Sequence, residues 1–248
     1  MILEAINIKK SFPRKRSESN FFYAVDDVNL RLESGKLTVL YGESGSGKST
    51  LLNMLSGLLS PTEGKVMLDE TDLYTLDDDA LSRLRNRHFG VMPQGQTAIF
   101  SLTVKENVLL PYTLYAKDAK HFDVSKLSEA SPASDAASSA DIDFGAYYTK
   151  RADELLNLTG IDDLSDAFPS ELSGGEMRRM AIARALLLNP DFILADEPTG
   201  DLDSENTEAV LSLFKSAAEN GTGVLIVSHD ESVSEYADEV LHMKKGKL

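Results

Sequence analysis

Short apolar runs alternate with longer amphipathic stretches along most of this 248-residue chain. Short apolar runs bounded by turn-forming residues are typical of β-strands, whereas apolar residues three and four apart are typical of helices. The alternation of the two predicts an α/β fold. Strands are predicted at residues 3–8, 28–32, 36–41, 64–68, 89–93, 192–195 and 224–227, with a short β tail at the end. Helices are predicted from residue 49 to a stop before Pro61, and at 148–159, 175–188 and 204–219.

The middle of the chain, residues 95–172, has a different composition. Thirteen of the sixteen residues from 128 to 143 are Ser, Ala or Asp, which leaves too few apolar side chains for that stretch to fold by itself. We therefore predict a mobile insertion at residues 117–146. A polar loop between the first two strands contains Arg14-Lys15-Arg16, which we interpret as a solvated loop.

Residues 42–49 fit the pattern G-x-x-x-x-G-K-[ST] between a predicted strand and a predicted helix. Glycines let successive backbone N–H groups of such a loop point at an anion, and the helix amino end adds a positive field. Lys48 is expected to reach the β- and γ-phosphates of a nucleotide, and Ser49 to bind Mg²⁺. A chance match in a flexible Gly/Ser loop is the alternative, which the flanking elements disfavour. The candidate phosphate-binding residues are Gly42, Glu43, Ser44, Gly45, Ser46, Gly47, Lys48, Ser49 and Thr50.

Two carboxylates end the apolar run that begins at residue 192, and ligands of doubly wound sheets bind at the carboxyl ends of strands. We assign Asp196 to Mg²⁺ and Glu197 to polarisation of the attacking water. Gln94 and His229 follow two further predicted strands. His229 is assigned to donate to the γ-phosphate, and Gln94 to catalysis and to Mg²⁺. Each residue taken singly also has an ordinary alternative. The two carboxylates could form an exposed acidic turn, Gln94 could be a loop amide, and His229 could be a surface histidine.

Ser173, Gly174 and Gly175 precede a predicted helix. Serine is a good N-cap, and the two glycines leave backbone N–H groups uncovered, so this segment can bind an anion. An ordinary capped helix is the alternative, but it does not explain three small residues where one would cap.

Composition excludes several function classes. A formal net charge of −15 argues against nucleic-acid binding, which needs clustered Lys and Arg. The chain contains no cysteine, which excludes disulfides and thiolate metal sites. We see neither a signal peptide nor an apolar run of about 18 residues, so we expect a soluble, cytoplasmic chain.

Six segments in one order give the chain a close resemblance to the ATP-binding subunits of ABC transporters. They correspond to the family's Walker A, Q-loop, signature, Walker B, D-loop and H-loop. In this chain these are residues 42–49, Gln94, residues 172–176, residues 192–197, residues 200–203 and His229. The stretches 102–108 and 195–203 resemble the branch of lipoprotein-releasing, macrolide-export, antimicrobial-peptide-resistance and cell-division ATPases.

The resemblance implies a P-loop NTPase core with an N-terminal antiparallel β subdomain and an inserted α-helical subdomain. It implies one domain over residues 1–248, with the core and β subdomain at 1–94 and 173–248 and the helical subdomain at 95–172. The implied cofactors are ATP and Mg²⁺. The implied partners are a second copy of the chain, with ATP sandwiched between the copies, and a separate transmembrane permease. Ser173, Gly174 and Gly175 are then expected to contact the γ-phosphate in trans, and Asp203 to link the two sites.

Some points differ from the family pattern or stay open. The family stacks adenine on an aromatic residue near the amino terminus, for which Phe12 and Tyr23 are both candidates here. Glu176 replaces a common Gln, which we expect to change the phosphate contacts little. The main functional expectation is an ATPase that drives a permease from the inner face of the membrane. The alternative is a non-transport ABC ATPase that relays motion through a membrane partner to cell-wall or division machinery.

Overall fold

The computed structural model describes residues 1–13, 21–95, 97–122, 143–200 and 202–248. The basic run at 14–16, most of the predicted insertion and Asp201 of the D-loop segment lie outside the described residues.

An antiparallel sheet of four strands forms near the amino terminus, in the order β2-β1-β4-β5. Its strands are β1 (Ile2–Pro13), β2 (Phe21–Glu33), β4 (Glu63–Leu68) and β5 (Thr71–Asp72). β1 is twice as long as predicted and β2 is more than twice as long, since their pairing continues through polar and aromatic residues from Lys10↔Val25 to Pro13↔Phe21. Register shifts between Ala5 and Ser11 accompany this extension.

A parallel sheet of five strands, in the order β6-β7-β8-β3-β9, forms the centre of the protein. The strands are β3 (Leu37–Tyr41), β6 (Phe89–Met92), β7 (Phe192–Asp196), β8 (Gly223–Ser228) and β9 (Glu239–His242). All five residues of β7 and all six of β8 are buried, which explains why they are continuous apolar runs. Since neighbouring strands are parallel, their carboxyl ends meet at one edge of the sheet.

Helices cover both faces of the central sheet. Leu40 and Leu194 pack with the helix α1 (Lys48–Leu55) and the antiparallel sheet, whereas Val39 and Ile193 pack with α5 (Gly174–Leu186) and α6 (Ser204–Glu219) on the other side. The predicted helix after residue 49 is wrong in its length, because α1 ends at Leu55 and the chain turns at Gly57 with φ of 70°. The helix α2 (Asp78–His88) was not predicted, because Leu81 is its only buried residue.

A third cluster joins α5 to α3 (Val104–Thr113) and α4 (Phe144–Leu158). Phe122 and Phe144 flank residues 123–142, and their ring centroids lie 5.4 Å apart in this cluster. The described residues on either side of this stretch therefore meet at one place in the helical part. Among the described residues, no helix has the length and apolarity needed to cross a membrane.

Candidate nucleotide-binding site

The loop at residues 42–49 connects β3 to α1, and it is held by close backbone packing. The Ser46 N–H donates to the Glu43 carbonyl at 3.1 Å. A Cβ on Gly47, where φ is 109°, would lie 2.1 Å from the Ala24 carbonyl oxygen, and a Cβ on Gly42 would lie 2.4 Å from that of Met243. Both glycines are therefore required by the loop's neighbours as well as by its curvature.

Lys48 is buried inside this loop. Its Nζ donates to the Gly42 carbonyl at 2.6 Å and to the Glu43 carbonyl at 3.1 Å. The Ser46 hydroxyl is buried and has no hydrogen-bond partner within the described residues. A buried cation and an unpaired donor at the amino end of α1 are groups that an anion would satisfy.

The second half of the site lies at the carboxyl ends of β7 and β8. Asp196 is buried, and burial raises the pKa of its carboxyl group, while a hydrogen bond with Ser49 acts in the opposite direction. Glu197, at φ of 51°, follows directly and has a side chain that is 16% exposed. His229 Nδ1 lies 2.7 Å from Glu197 Oε1, and the Ser228 hydroxyl lies 3.5 Å from Oε2. The contact with His229 therefore fixes the orientation of the Glu197 carboxylate.

One cavity of about 480 Å³ brings these two halves together. It contains the phosphate loop on one side and the carboxyl edge of the sheet on the other. Its lining residues are Phe12, Phe22, Ala24, Ser44, Gly45, Gly47, Lys48, Ser49, Thr50, Gln94, Asp196, Glu197 and His229. Six segments of the chain, from Phe12 to His229, thus line one cavity that can hold a phosphorylated ligand.

The oxygen ligands in this cavity fit Mg²⁺. The Ser49 hydroxyl, the Asp196 carboxylate and the Gln94 amide line the same cavity. Hydroxyl, carboxylate and amide oxygens are hard donors of the kind that Mg²⁺ prefers. A nearby cation would also offset the burial of the Asp196 charge.

An aromatic pair closes the cavity on the side of the antiparallel sheet. Phe12 and Phe22 are cross-strand partners in β1 and β2, and both line the cavity. Tyr23 is not among the lining residues, because successive side chains of a strand point to opposite faces and Phe22 and Ala24 take the cavity face. Of the two predicted aromatic candidates the geometry therefore favours Phe12, and it adds Phe22, which strand alternation around Ala24 could have indicated.

We predict that Phe22→Ala and Phe12→Ala each weaken ATP binding by about tenfold, since base–aromatic stacking contributes about 1–3 kcal/mol. Tyr23→Ala is the matched control, because it removes a neighbouring exposed aromatic ring from the other face of β2 and should leave affinity unchanged. Titration with a fluorescent ATP analogue checks all three variants. Loss of affinity in Tyr23→Ala alone would contradict this assignment.

The predicted trans contacts lie elsewhere on the chain. Ser173 caps α5, and Asp203 caps α6 by accepting from the Asn206 N–H at 2.8 Å. Neither residue lines the cavity, nor do Gly174 and Gly175. The two segments adjoin each other, because a Cβ on Gly175 would lie 3.2 Å from Leu202. Within the described part of a single chain, the signature segment and the D-loop segment therefore lie next to each other. Neither of these described segments lies next to the phosphate loop of the same chain.

Comparison with protein families identifies the family to which the chain belongs. Residues 25–200 match the family model described as ABC transporter, which includes the phosphate loop, Gln94, the 172–176 segment and both carboxylates. The chain belongs to the ABC transporter family.

Curated ABC relatives align with the whole chain. The macrolide export ATP-binding/permease protein MacB of Salmonella typhimurium is 35% identical over 247 residues, which are 100% of this chain and 34% of MacB. The lipoprotein-releasing system ATP-binding protein LolD of Buchnera aphidicola is 34% identical over 249 residues, covering 100% of this chain and 96% of LolD. The chain thus spans about a third of MacB and nearly all of LolD, which confirms the branch expected from the sequence.

Solved structures confirm the α/β P-loop NTPase fold. A dimeric structure of MJ0796, described as a bacterial ABC transporter cassette, has a TM-score of 0.83 and 34% identity, and the match covers 99% of this chain and 96% of that one. A dimeric MJ0796 structure in a post-hydrolysis state, bound to ADP and Pi, has a TM-score of 0.82 and 33% identity, with the same coverage.

The structure contains one hydrogen-bonded contact between segments that the sequence patterns did not indicate. Arg184 on α5 donates from Nη1 to the Thr97 carbonyl at 2.9 Å and from Nη2 to the Thr97 hydroxyl. Thr97 is three residues after Gln94, so the signature helix is bound to the segment that carries Gln94. Nothing in the local sequence distinguishes Arg184 from the other arginines of α5, so only the fold could reveal this contact.

Proposed function

We propose that this chain binds and hydrolyses ATP as the ATP-binding subunit of an ABC transporter and drives a separate membrane subunit. The observation that carries this proposal is the single cavity in which the phosphate loop faces Asp196, Glu197 and His229. Membership of the family and the MJ0796 structure with ADP and Pi support the reaction class.

The residues of the cavity divide the chemistry between them. The N–H groups of the phosphate loop and Lys48 hold the β- and γ-phosphates, while Phe12 and Phe22 cover the adenine. Glu197, oriented by His229, accepts hydrogen bonding from the attacking water and polarises it. His229 also donates to the γ-phosphate and so stabilises the charge that develops there. Ser49, Asp196 and Gln94 would hold Mg²⁺, which would neutralise part of the phosphate charge when bound.

A second copy of the chain completes the site. Ser173, Gly174 and Gly175 offer an anion-binding helix start that lies outside the cavity of their own chain. The two MJ0796 structures are described as dimeric. We therefore place the signature of each copy on the ATP held by the other, with Asp203 beside it linking the two sites.

The membrane subunit would bind next to the Gln94 segment. A mostly apolar cavity of about 350 Å³ lies there, between the helical part and the central sheet. Leu58 and Leu114, which are 52% and 66% exposed, line it together with Pro93 and Thr97. Since Thr97 is tied to α5, a partner in this cavity would sense movement of the nucleotide site. We propose that this partner holds the chain at the inner face of the membrane.

Co-purification tests the proposed partner. We would pull tagged Glu197→Gln, loaded with Mg²⁺-ATP, from detergent-solubilised native membranes and identify bound proteins by mass spectrometry. A stoichiometric protein with several membrane spans is expected, and Leu58→Asp combined with Leu114→Asp should release it without changing ATP binding. A purely soluble partner, or none across several detergents, would overturn the transport assignment.

A further inference from the structure

The signature helix α5 begins with an acidic capping box. Glu176 Oε2 accepts from the Ser173 N–H at 2.7 Å and from the Ser173 hydroxyl at 2.8 Å. The Glu176 N–H in turn donates to Ser173 Oγ at 3.3 Å. Every donor of Ser173 is therefore directed at the carboxylate of its own helix, and none is left for an incoming ligand.

The Glu176 carboxylate carries a full negative charge near neutral pH. Hydrogen bonds from the Ser173 backbone and hydroxyl lower the pKa of Glu176, and Arg179 adds a smaller effect in the same direction. The charge stands at the amino end of α5, where the helix field favours an anion. In chemical terms the carboxylate takes the position and the donors that a phosphate group would use.

We propose that Glu176 is an internal anion that competes with the γ-phosphate of the second copy's ATP for Ser173, and so sets how much ATP the dimer needs. This inference rests on the proposed function, since it concerns the ATP sandwich. To let the phosphate dock, the Ser173 hydroxyl must turn away from Glu176, and the two negative charges must then remain close together. Glu176 is thus a positioning residue. It keeps the hydrogen-bond donors of Ser173 paired within their own helix.

Glu176→Gln distinguishes the effect of the charge from the effect of the helix cap. The glutamine amide oxygen can still accept from the Ser173 N–H and hydroxyl, so the capping box can stay closed while the negative charge is gone. A symmetric dimer contains two such sites. Charge interactions near the surface are weak, so removing both charges should tighten the ATP-dependent dimer about tenfold.

The test compares Glu197→Gln with Glu197→Gln/Glu176→Gln. Sedimentation velocity at increasing Mg²⁺-ATP gives the nucleotide concentration at half dimerisation. The double variant should need about threefold less ATP, because a tenfold tighter dimer takes up two ATP molecules. The difference should shrink as NaCl is raised, since salt screens the repulsion. If Glu176 were only a structural cap, the double variant should need as much ATP or more, because Gln should cap the helix no better than Glu.

Glu106→Gln is the matched control. Glu106 forms the same capping box with Thr103 at the start of α3, accepting from the Thr103 N–H at 2.8 Å, but it does not belong to the signature. In the Glu197→Gln background it should leave dimerisation unchanged. An equal shift in Glu106→Gln would assign the effect to general charge and overturn the inference.

The remaining outcomes are also decisive. Should Glu176→Gln fail to fold, Glu176→Ala replaces it, since it removes the charge and is still expected to dimerise at lower ATP. Unchanged or weaker dimerisation of the charge-free variants would overturn the role of Glu176 but leave the ATP sandwich in place. If Glu197→Gln binds ATP and stays monomeric, the sandwich itself fails, and this inference fails with it.

Discussion

Glu197→Gln should lower the rate of ATP hydrolysis by about 10²–10⁴-fold, the usual contribution of a positioned general base, while ATP binding is retained. The carboxylate that polarises water is replaced by an amide of the same shape, which can keep the contact with His229. ATP that cannot be hydrolysed should then accumulate in the dimer. Phosphate release and the nucleotide content of the purified complex measure the two effects.

The control for this variant is Glu219→Gln, which removes an exposed carboxylate at the end of α6 and should hydrolyse ATP at the wild-type rate. Hydrolysis by Glu197→Gln at a rate close to wild type would remove Glu197 as the base. Asp196 would be a poor replacement as the general base, because its carboxylate is buried beside Ser49 and is assigned to the metal.

Lys48→Ala should weaken nucleotide binding about 100-fold or more. Hydrogen bonds to charged groups contribute about 1.5–3 kcal/mol each, and the ammonium group of Lys48 is expected to reach two phosphates. The same substitution removes the donor that holds the Gly42 and Glu43 carbonyls in the free chain. The variant should therefore lose ATP affinity together with the order of the loop. Equilibrium titration with a fluorescent ATP analogue measures the affinity.

Lys150→Ala is the matched control, since Lys150 is an exposed residue of α4 whose side chain is 67% exposed. Thermal unfolding of both variants without nucleotide shows whether the chain still folds. A folded Lys48→Ala that binds ATP as tightly as the wild type would show that the cavity holds phosphate by other groups.

Much of the nucleotide site could be predicted because its physics is local or simple. A buried parallel strand such as β7 must be a continuous apolar run, and the residue after it must lie at the ligand-binding edge of the sheet. Asp196, Gln94 and His229 were placed by that rule. The phosphate loop was found because its glycines, Lys48 and Ser49 occur at fixed spacing.

Features that depend on distant contacts could not be predicted in the same way. The polar sequence of α2 hides a helix that buries only Leu81. α1 ends before Leu58, since the chain turns at Gly57 and exposes that leucine to a cavity. Strand alternation could place Phe22 on the same face as Ala24, but only the register of β1 with β2 shows that it lies opposite Phe12. In each case a partner far along the chain decides what the local pattern leaves open.

If the signature of one copy completes the ATP site of another, Gly174→Asp should prevent the ATP-dependent dimer from forming. A Cβ at Gly174 meets no atom within 4 Å, so an aspartate fits the single chain, yet its charge would oppose a phosphate at this helix start. We would measure sedimentation of Glu197→Gln and Glu197→Gln/Gly174→Asp in saturating Mg²⁺-ATP. We expect a dimer for the first and an ATP-bound monomer for the second. Equal dimerisation of both variants would contradict this expectation.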